Sequence, residues 1–250
     1  LELGSRVWFA TSAGMAPGDG SLAELVRVAA DDLVPISQPV GDEVVAALGL
    51  SAVAAWMSLT HKARLRPGER VLVLGGGGAV GQAAIGAARH LGASRIVATC
   101  RSKEAAARAE AAGADQVVIT GQDLGGLEQQ IAGACLGQVE VVVDPVFGAT
   151  AAAAARVLAD GGRLVNLGSA SHDEAVFSSA HLRSRSIEIL GYTNNSLTPE
   201  QRRAAVTEIC ALAAGGALGV AHEVHPLARI GDVWAVQAKG NPPARFVLEP

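Results

Sequence analysis

Six short runs in the middle of the chain are apolar on mostly consecutive residues: Val71–Leu74, Arg95–Thr99, Gln116–Ile119, Val139–Val143, Arg163–Leu167 and Ile187–Leu190. A half-exposed strand alternates apolar and polar positions. These runs do not, so they predict strands covered on both faces. Helical patterns fall between them. Val80, Ala83, Ala84, Ala87, Ala88 and Leu91 follow the spacing of one helix face. Lys103–Ala112 and Ala149–Leu158 are alanine-rich and favour helix. Gly92, Gly113 and Gly161 are expected to close these helices. Repeated strand–helix units of this length predict an α/β fold, a doubly wound Rossmann sheet of six parallel strands.

The flanks read differently. Residues 1–48 hold short strand-like pieces, Arg6–Phe9 and Leu22–Val28, with a loop marked by Pro17, Gly18 and Gly20. Residues 223–250 suggest strand, helix, strand over Glu223–Val224, Ile230–Lys239 and Arg245–Leu248. The expectation is a central nucleotide-binding domain, with the two chain ends meeting in a second one.

Composition narrows the classes. Half of the 250 residues are apolar and 18% are charged, which excludes a disordered chain. A net charge of −4 argues against a nucleic-acid partner. The mean hydropathy of +0.31 calls for a check on membrane spans. The uncharged run between Arg70 and Arg89 is long enough, but six of its residues are glycine, so no membrane segment is expected there. Cys100, Cys135 and Cys210 are too widely spaced for a disulfide framework, which makes a cytoplasmic setting the default.

The sharpest signal is VLVLGGGGAVGQAAIGAARHLGA, residues 71–93. A strand runs into glycines and a helix follows, with Gly75, Gly78 and Gly81 three residues apart. Such a turn must be tight, must let backbone approach a pyrophosphate, and must seat the helix close to the sheet. The helix N-terminus then offers free N–H groups to the phosphate. Gly75, Gly77, Gly78, Ala79, Val80 and Gly81 are therefore assigned to the cofactor.

The end of the next strand selects which dinucleotide binds. An NAD site places Asp or Glu there to hold the ribose hydroxyls. Here Thr99 and Cys100 lead into Arg101, Ser102 and Lys103, with no carboxylate before Glu104. Two cations and a hydroxyl suit a 2′-phosphate, so NADPH is expected over NADH. The alternative is that Arg101 and Lys103 are a solvated helix entrance. Asp144, Val146, Gly168 and Ser169 follow later strands and would wall the nicotinamide side of the same crevice. Asp144 has a second reading, as a helix cap.

These features together resemble the medium-chain dehydrogenase/reductase superfamily, in its zinc-independent quinone oxidoreductase branch. The matching stretches are GSLAELVRVAADDLVPI (20–36), ALGLSAVAAWMSLTHKARLRPGERVLVLGGGGAVG (47–81), VVVDPVFG (141–148), GGRLVNLGS (161–169) and IEILGYTN (187–194). The resemblance implies a Rossmann domain over 49–191 and a GroES-like catalytic domain from 1–48 and 192–250. It implies hydride transfer from NADPH to a quinone or α,β-unsaturated carbonyl compound. Tyr192, Asn194 and Arg245 are assigned to the cofactor side of the cleft. Leu1–Ala10 matches a GDRVW-type strand that relatives place well inside their catalytic domain, so the resemblance implies only part of that domain. Thr120 stands where relatives often carry a Tyr beside the cofactor.

No metal is expected. Zinc-dependent relatives often carry a Cys near the start of the helix before the Rossmann domain, whereas Ala47–Ser51 has none. His222 and His225 flank Glu223 and Val224, but they are three apart in an expected strand and point to opposite faces. No G-x-S-x-G elbow is present. His61, His90, His172 and His181 read as solvated. Tyr192 has two readings, proton donor and packing residue, and no side chain is assigned as catalytic. Two other functions stay open: an enoyl-thioester reductase of fatty-acid or polyketide metabolism, and a non-catalytic NADPH-binding sensor or scaffold. The apolar edge strand Ile187–Leu190 predicts a homodimer formed edge to edge.

Overall fold

A computed structural model of the chain describes residues 1–10, 20–121, 126–240 and 242–250. The loop expected around Pro17 and Gly18 lies outside the described residues. Ten strands are described: β1 (Val7–Trp8), β2 (Val34–Pro35), β3 (Arg70–Val73), β4 (Arg95–Cys100), β5 (Gln116–Ile119), β6 (Val139–Asp144), β7 (Leu158–Asn166), β8 (Glu188–Gly191), β9 (His222–Pro226) and β10 (Arg245–Glu249). The α-helices are α1 (Asp42–Met57), α2 (Ala79–His90), α3 (Lys103–Ala111), α4 (Leu127–Ala134), α5 (Gly148–Arg156), α6 (Ser179–Ser184), α7 (Pro199–Ala214) and α8 (Ile230–Gln237).

Six strands form one parallel sheet in the order β5-β4-β3-β6-β7-β8. This is the expected doubly wound order, with the chain switching direction between β3 and β6. Alternate residues of β3 serve opposite faces. Val71 and Val73 join the core built with α1, α2, α3 and α7, while Leu72 joins the core built with α4 and α5. Burial on both faces explains the apolar runs of β3, β4, β6 and β7. The edge strands β5 and β8 are largely exposed, against the expectation that all six runs are covered on both faces. The chain ends pair separately, β1 with β2 antiparallel and β9 with β10 parallel.

Several boundaries differ from expectation. No strand forms over Leu22–Val28, where Leu25 is 91% exposed and Val26 and Val28 are half-buried. Helix α5 stops at Arg156, and Leu158 already belongs to β7, opposite Val139. Gly161 lies within that strand with φ +67°, so it is no helix stop. Gly92 and Gly113 do follow helix ends, with φ of +85° and +104°.

The segment 42–62 is long and apolar enough to cross a membrane. It is a core helix, with Leu48, Ala52, Val53, Ala55 and Leu59 buried against the sheet's helices. Gly49 breaks it midway at φ +43°. That break gives two residues, Leu50 and Ser51, a place in the site.

Candidate cofactor site

The turn after β3 is built from glycines with distinct tasks. Gly75 has φ +67°, which a side chain rarely adopts, and a Cβ there would lie 2.9 Å from Val146 Cγ2. A Cβ on Gly81 would lie 2.4 Å from the Gly75 carbonyl, so this glycine lets α2 sit against the turn. Gly77 is buried, and a Cβ there would lie 2.4 Å from the Ala105 carbonyl of α3. Gly78 differs. It is exposed, it caps α2 in an extended conformation, and a Cβ would meet only the Gly75 carbonyl at 3.4 Å. Three of these glycines thus serve close packing or the turn, and Gly78 faces the open side.

Helix α2 begins at that open side. Its first hydrogen bond runs from the Gln82 N–H to the Gly78 carbonyl at 2.9 Å. The N–H groups of Ala79, Val80 and Gly81 precede it and open the helix toward the crevice. Strand β4 holds the turn from beside it. Thr99 Oγ1 accepts from the Gly75 N–H at 3.3 Å, and the Thr99 carbonyl accepts from the Gly76 N–H at 2.9 Å.

Arg101 and Lys103 are exposed where β4 ends, and neither joins an ion pair among the described residues. Ser102 caps α3, its Oγ accepting from the Ala105 N–H at 3.2 Å. The Glu104 carboxylate takes hydrogen bonds from its own backbone N–H and from the Ser102 hydroxyl, which hold it below the ordinary carboxylate range. Thr120, on the neighbouring strand end, donates its hydroxyl to the Cys100 carbonyl at 3.2 Å.

The other wall comes from β6 and β7. Asp144 is fully buried and supports this wall from within. Its Oδ1 accepts from the N–H groups of Val146 at 2.9 Å and Phe147 at 2.7 Å. Burial pushes its carboxyl above the ordinary value, although these bonds and one from Asn166 pull the other way. The side chain closes the turn after β6 through these bonds and is not the cap of α5, which begins without a side-chain cap. The turn it braces is strained: Phe147 sits at φ +60° and Gly148 at +70°. Gly168 lies against it, a Cβ there falling 3.1 Å from the Pro145 carbonyl. Val146, Gly168 and the exposed Ser169 thus line the ends of β6 and β7 beside the Gly75 turn.

A third group gathers at the Gly49 break. Arg245 donates to Ser51 Oγ at 2.7 Å and lies beside Gly49. Burial lowers the pKa of its guanidinium, and no carboxylate pairs with it among the described residues. Asn194 donates to the Leu50 carbonyl at 3.2 Å and accepts from the Tyr192 hydroxyl at 2.7 Å. Burial raises the Tyr192 phenol to about 12, which suits a lining residue better than an acid. The sequence reading missed Gln82 and Arg108. Both donate to the Gly77 carbonyl, at 2.9 and 3.0 Å, and nothing in their spacing signals it.

A Rossmann sheet with an open, glycine-lined helix N-terminus at its switch point defines a dinucleotide-binding fold. A family profile described as zinc-binding dehydrogenase matches residues 79–211, and the chain belongs to that family, within the medium-chain dehydrogenase/reductase superfamily. The chain is similar to the quinone oxidoreductase from Thermus thermophilus, solved also as its complex with NADPH: 29% identity, TM-score 0.75, covering 100% of this chain and 78% of that one. It shares its fold with the quinone oxidoreductase from Pseudomonas syringae pv. tomato, at TM-score 0.84 and 23% identity, over 100% of this chain and 76% of that one. It is 29% identical over 260 residues to a phenolphthiocerol/phthiocerol polyketide synthase of Mycobacterium tuberculosis. That match takes 99% of this chain but only 11% of the synthase chain, so this chain spans about a tenth of that relative's length.

The family's description implies zinc. The donors described do not fit it. Among the described residues no three His, Cys, Asp or Glu side chains lie together, and all three cysteines are buried and free. His222 and His225 both fall in β9, three residues apart.

Proposed function

We propose that the chain is an NADPH-dependent oxidoreductase whose acceptor is a quinone or an α,β-unsaturated carbonyl compound. The observation that carries this is the Gly75–Gly81 turn: a glycine at positive φ, an exposed Gly78 and an open α2 N-terminus at the sheet's switch point. The likeness to the Thermus enzyme supports it. The Rossmann domain over 49–191 holds the cofactor, and 1–48 with 192–250 face the acceptor.

The nicotinamide supplies the hydride, and the protein binds, orients and excludes water. The N–H groups of Ala79, Val80 and Gly81 hold the pyrophosphate. Arg101, Lys103 and the Ser102 hydroxyl hold the 2′-phosphate. Val146, Gly168 and Ser169 form one wall for the nicotinamide, with Asp144 bracing it. Arg245, Asn194 and Tyr192 close the opposite side. Arg245 is a half-buried cation with no carboxylate partner among the described residues, which suits an anionic partner.

The test is steady oxidation of NADPH by a simple quinone, read as loss of the reduced-nicotinamide absorbance. Turnover is expected. NADPH that binds without turnover on any acceptor would leave the sensor reading standing. A second reading has its own support. The match to a polyketide synthase over 99% of the chain favours an enoyl thioester as acceptor. A thioester oxidising NADPH faster than a quinone would decide for it.

The chain is further assigned as a homodimer through β8. That strand ends the sheet, Ile189 on it is 37% exposed, and among the described residues no strand pairs with its outer side, while α7 packs on α1 and β2. Light scattering at micromolar concentration should give a dimer that Ile189→Pro converts to monomer. A monomeric parent chain removes the idea. Three free, buried cysteines agree with a reducing, cytoplasmic setting.

A further inference from the structure

The Gly77 carbonyl turns inward, away from the open side of the turn, and two side chains hold it there. Gln82 Nε2 donates to it at 2.9 Å and Arg108 Nε donates to it at 3.0 Å. Each of these side chains has a second partner at the far end of the chain. Gln82 Oε1 accepts from the Ala221 N–H at 2.8 Å, just before β9. Arg108 donates through a terminal nitrogen to the Pro243 carbonyl at 3.0 Å, two residues before Arg245. The Ala221 carbonyl then accepts from the Arg245 N–H at 2.9 Å. The bonds close a ring: Gly77, Gln82, Ala221, Arg245, back along the chain to Pro243, Arg108, and Gly77 again.

Gln82 is 5% exposed, so its amide is a buried polar group with both ends satisfied. A leucine would fill the same space against α2 and β9 without the polar cost. The amide is what can donate to the turn and accept from β9 at once. We infer that Gln82 and Arg108 are positioning residues, which set Arg245 at a fixed place relative to the phosphate turn through this ring. It rests on the reading of Arg245 as a cofactor contact. The ring links the helix that opens on the phosphates to the strand that carries the half-buried cation. Breaking it leaves both parts folded and lets the cation drift from the anion.

NADPH titrations of the whole chain test this as a double-mutant cycle, with melting followed in parallel. Gln82→Met is expected to weaken NADPH about tenfold, the size of one well-placed hydrogen bond. Arg245→Met is expected to weaken it about 10- to 100-fold, as for a lost charge-assisted contact. The double variant should bind no more weakly than Arg245→Met alone, because Gln82 acts through Arg245. Arg108→Met, at a half-exposed site, should repeat the pattern and serves if Gln82→Met fails to fold. Losses that multiply in the double variants, or full affinity in Gln82→Met and Arg108→Met, overturn the inference while leaving the cofactor site standing. Full affinity in Arg245→Met, or no NADPH binding by the parent chain, overturns the cofactor reading of Arg245 and the ring's role with it.

Discussion

Gly78→Val is expected to lose NADPH binding by at least about 100-fold while its thermal transition stays near that of the parent. The affinity loss is that of two or more charge-assisted bonds to phosphate, roughly 1.5–3 kcal/mol each. The fold survives because Gly78 is exposed and extended, and a Cβ there meets no atom closer than 3.4 Å. A branched side chain would instead stand over the first turn of α2, where the phosphate must approach. Gly81→Val is the contrast. Its Cβ would fall 2.4 Å from the Gly75 carbonyl, so the turn itself must give way. That variant should lose stability and binding together. Isothermal titration beside a melting curve separates the two, and full NADPH affinity in Gly78→Val would remove the turn as the site.

Arg163→Met should cost about 3–5 kcal/mol of stability, as expected when one partner of a buried pair is removed. Arg163, 9% exposed on β7, grips both oxygens of Glu69 at 2.8 and 3.0 Å. It also donates to the Ala63 carbonyl at 2.9 Å, tying the end of the first helix to the sheet. The substitution leaves a largely buried carboxylate with only the Arg66 amide. The pH dependence follows from Glu69. Burial raises its pKa, but the bonds from Arg163 and Arg66, with their charges, outweigh this and hold it below the ordinary value. A lowered folded value means the stabilisation is complete above the unfolded pKa. It is lost as pH falls through the folded one. Chemical unfolding should therefore show the full difference at neutral pH and a shrinking one in acid. A constant difference across that range would reject the ion pair as its source.

The sheet was legible in the sequence because its inner strands β3, β4, β6 and β7 are buried on both faces. That burial wrote unbroken apolar runs, and the more exposed edge run Gln116–Ile119 still matches β5 residue for residue. Errors arose where glycine carries more than one meaning. Gly161 looks like a helix stop, yet it lies within a strand that begins at Leu158. Leu22–Val28 has strand-like composition, yet it pairs with no strand among the described residues and is mostly exposed. The glycine turn was readable because its spacing reflects backbone demands. Which glycine packs and which faces the ligand was not readable, since that depends on Ala105 and Val146, far away in sequence. Asp144 showed the opposite limit: its place at a strand end was readable, but not the two N–H partners that make it the brace of the turn after β6. Gln82 and Arg108 gave no signal, because their partners lie 139 and 135 residues further on.

The most direct test of the cofactor site is a pair of titrations, NADPH and NADH, on the parent chain and on Arg101→Ala. Arg101 is exposed at the end of β4 and joins no ion pair among the described residues, so its loss should not disturb the fold. The parent is predicted to prefer NADPH. Arg101→Ala is predicted to weaken NADPH by about 10- to 100-fold, the worth of one charge-assisted contact to the 2′-phosphate, and to leave NADH nearly unchanged. Equal losses for the two nucleotides, or a parent chain that binds neither, would contradict the account.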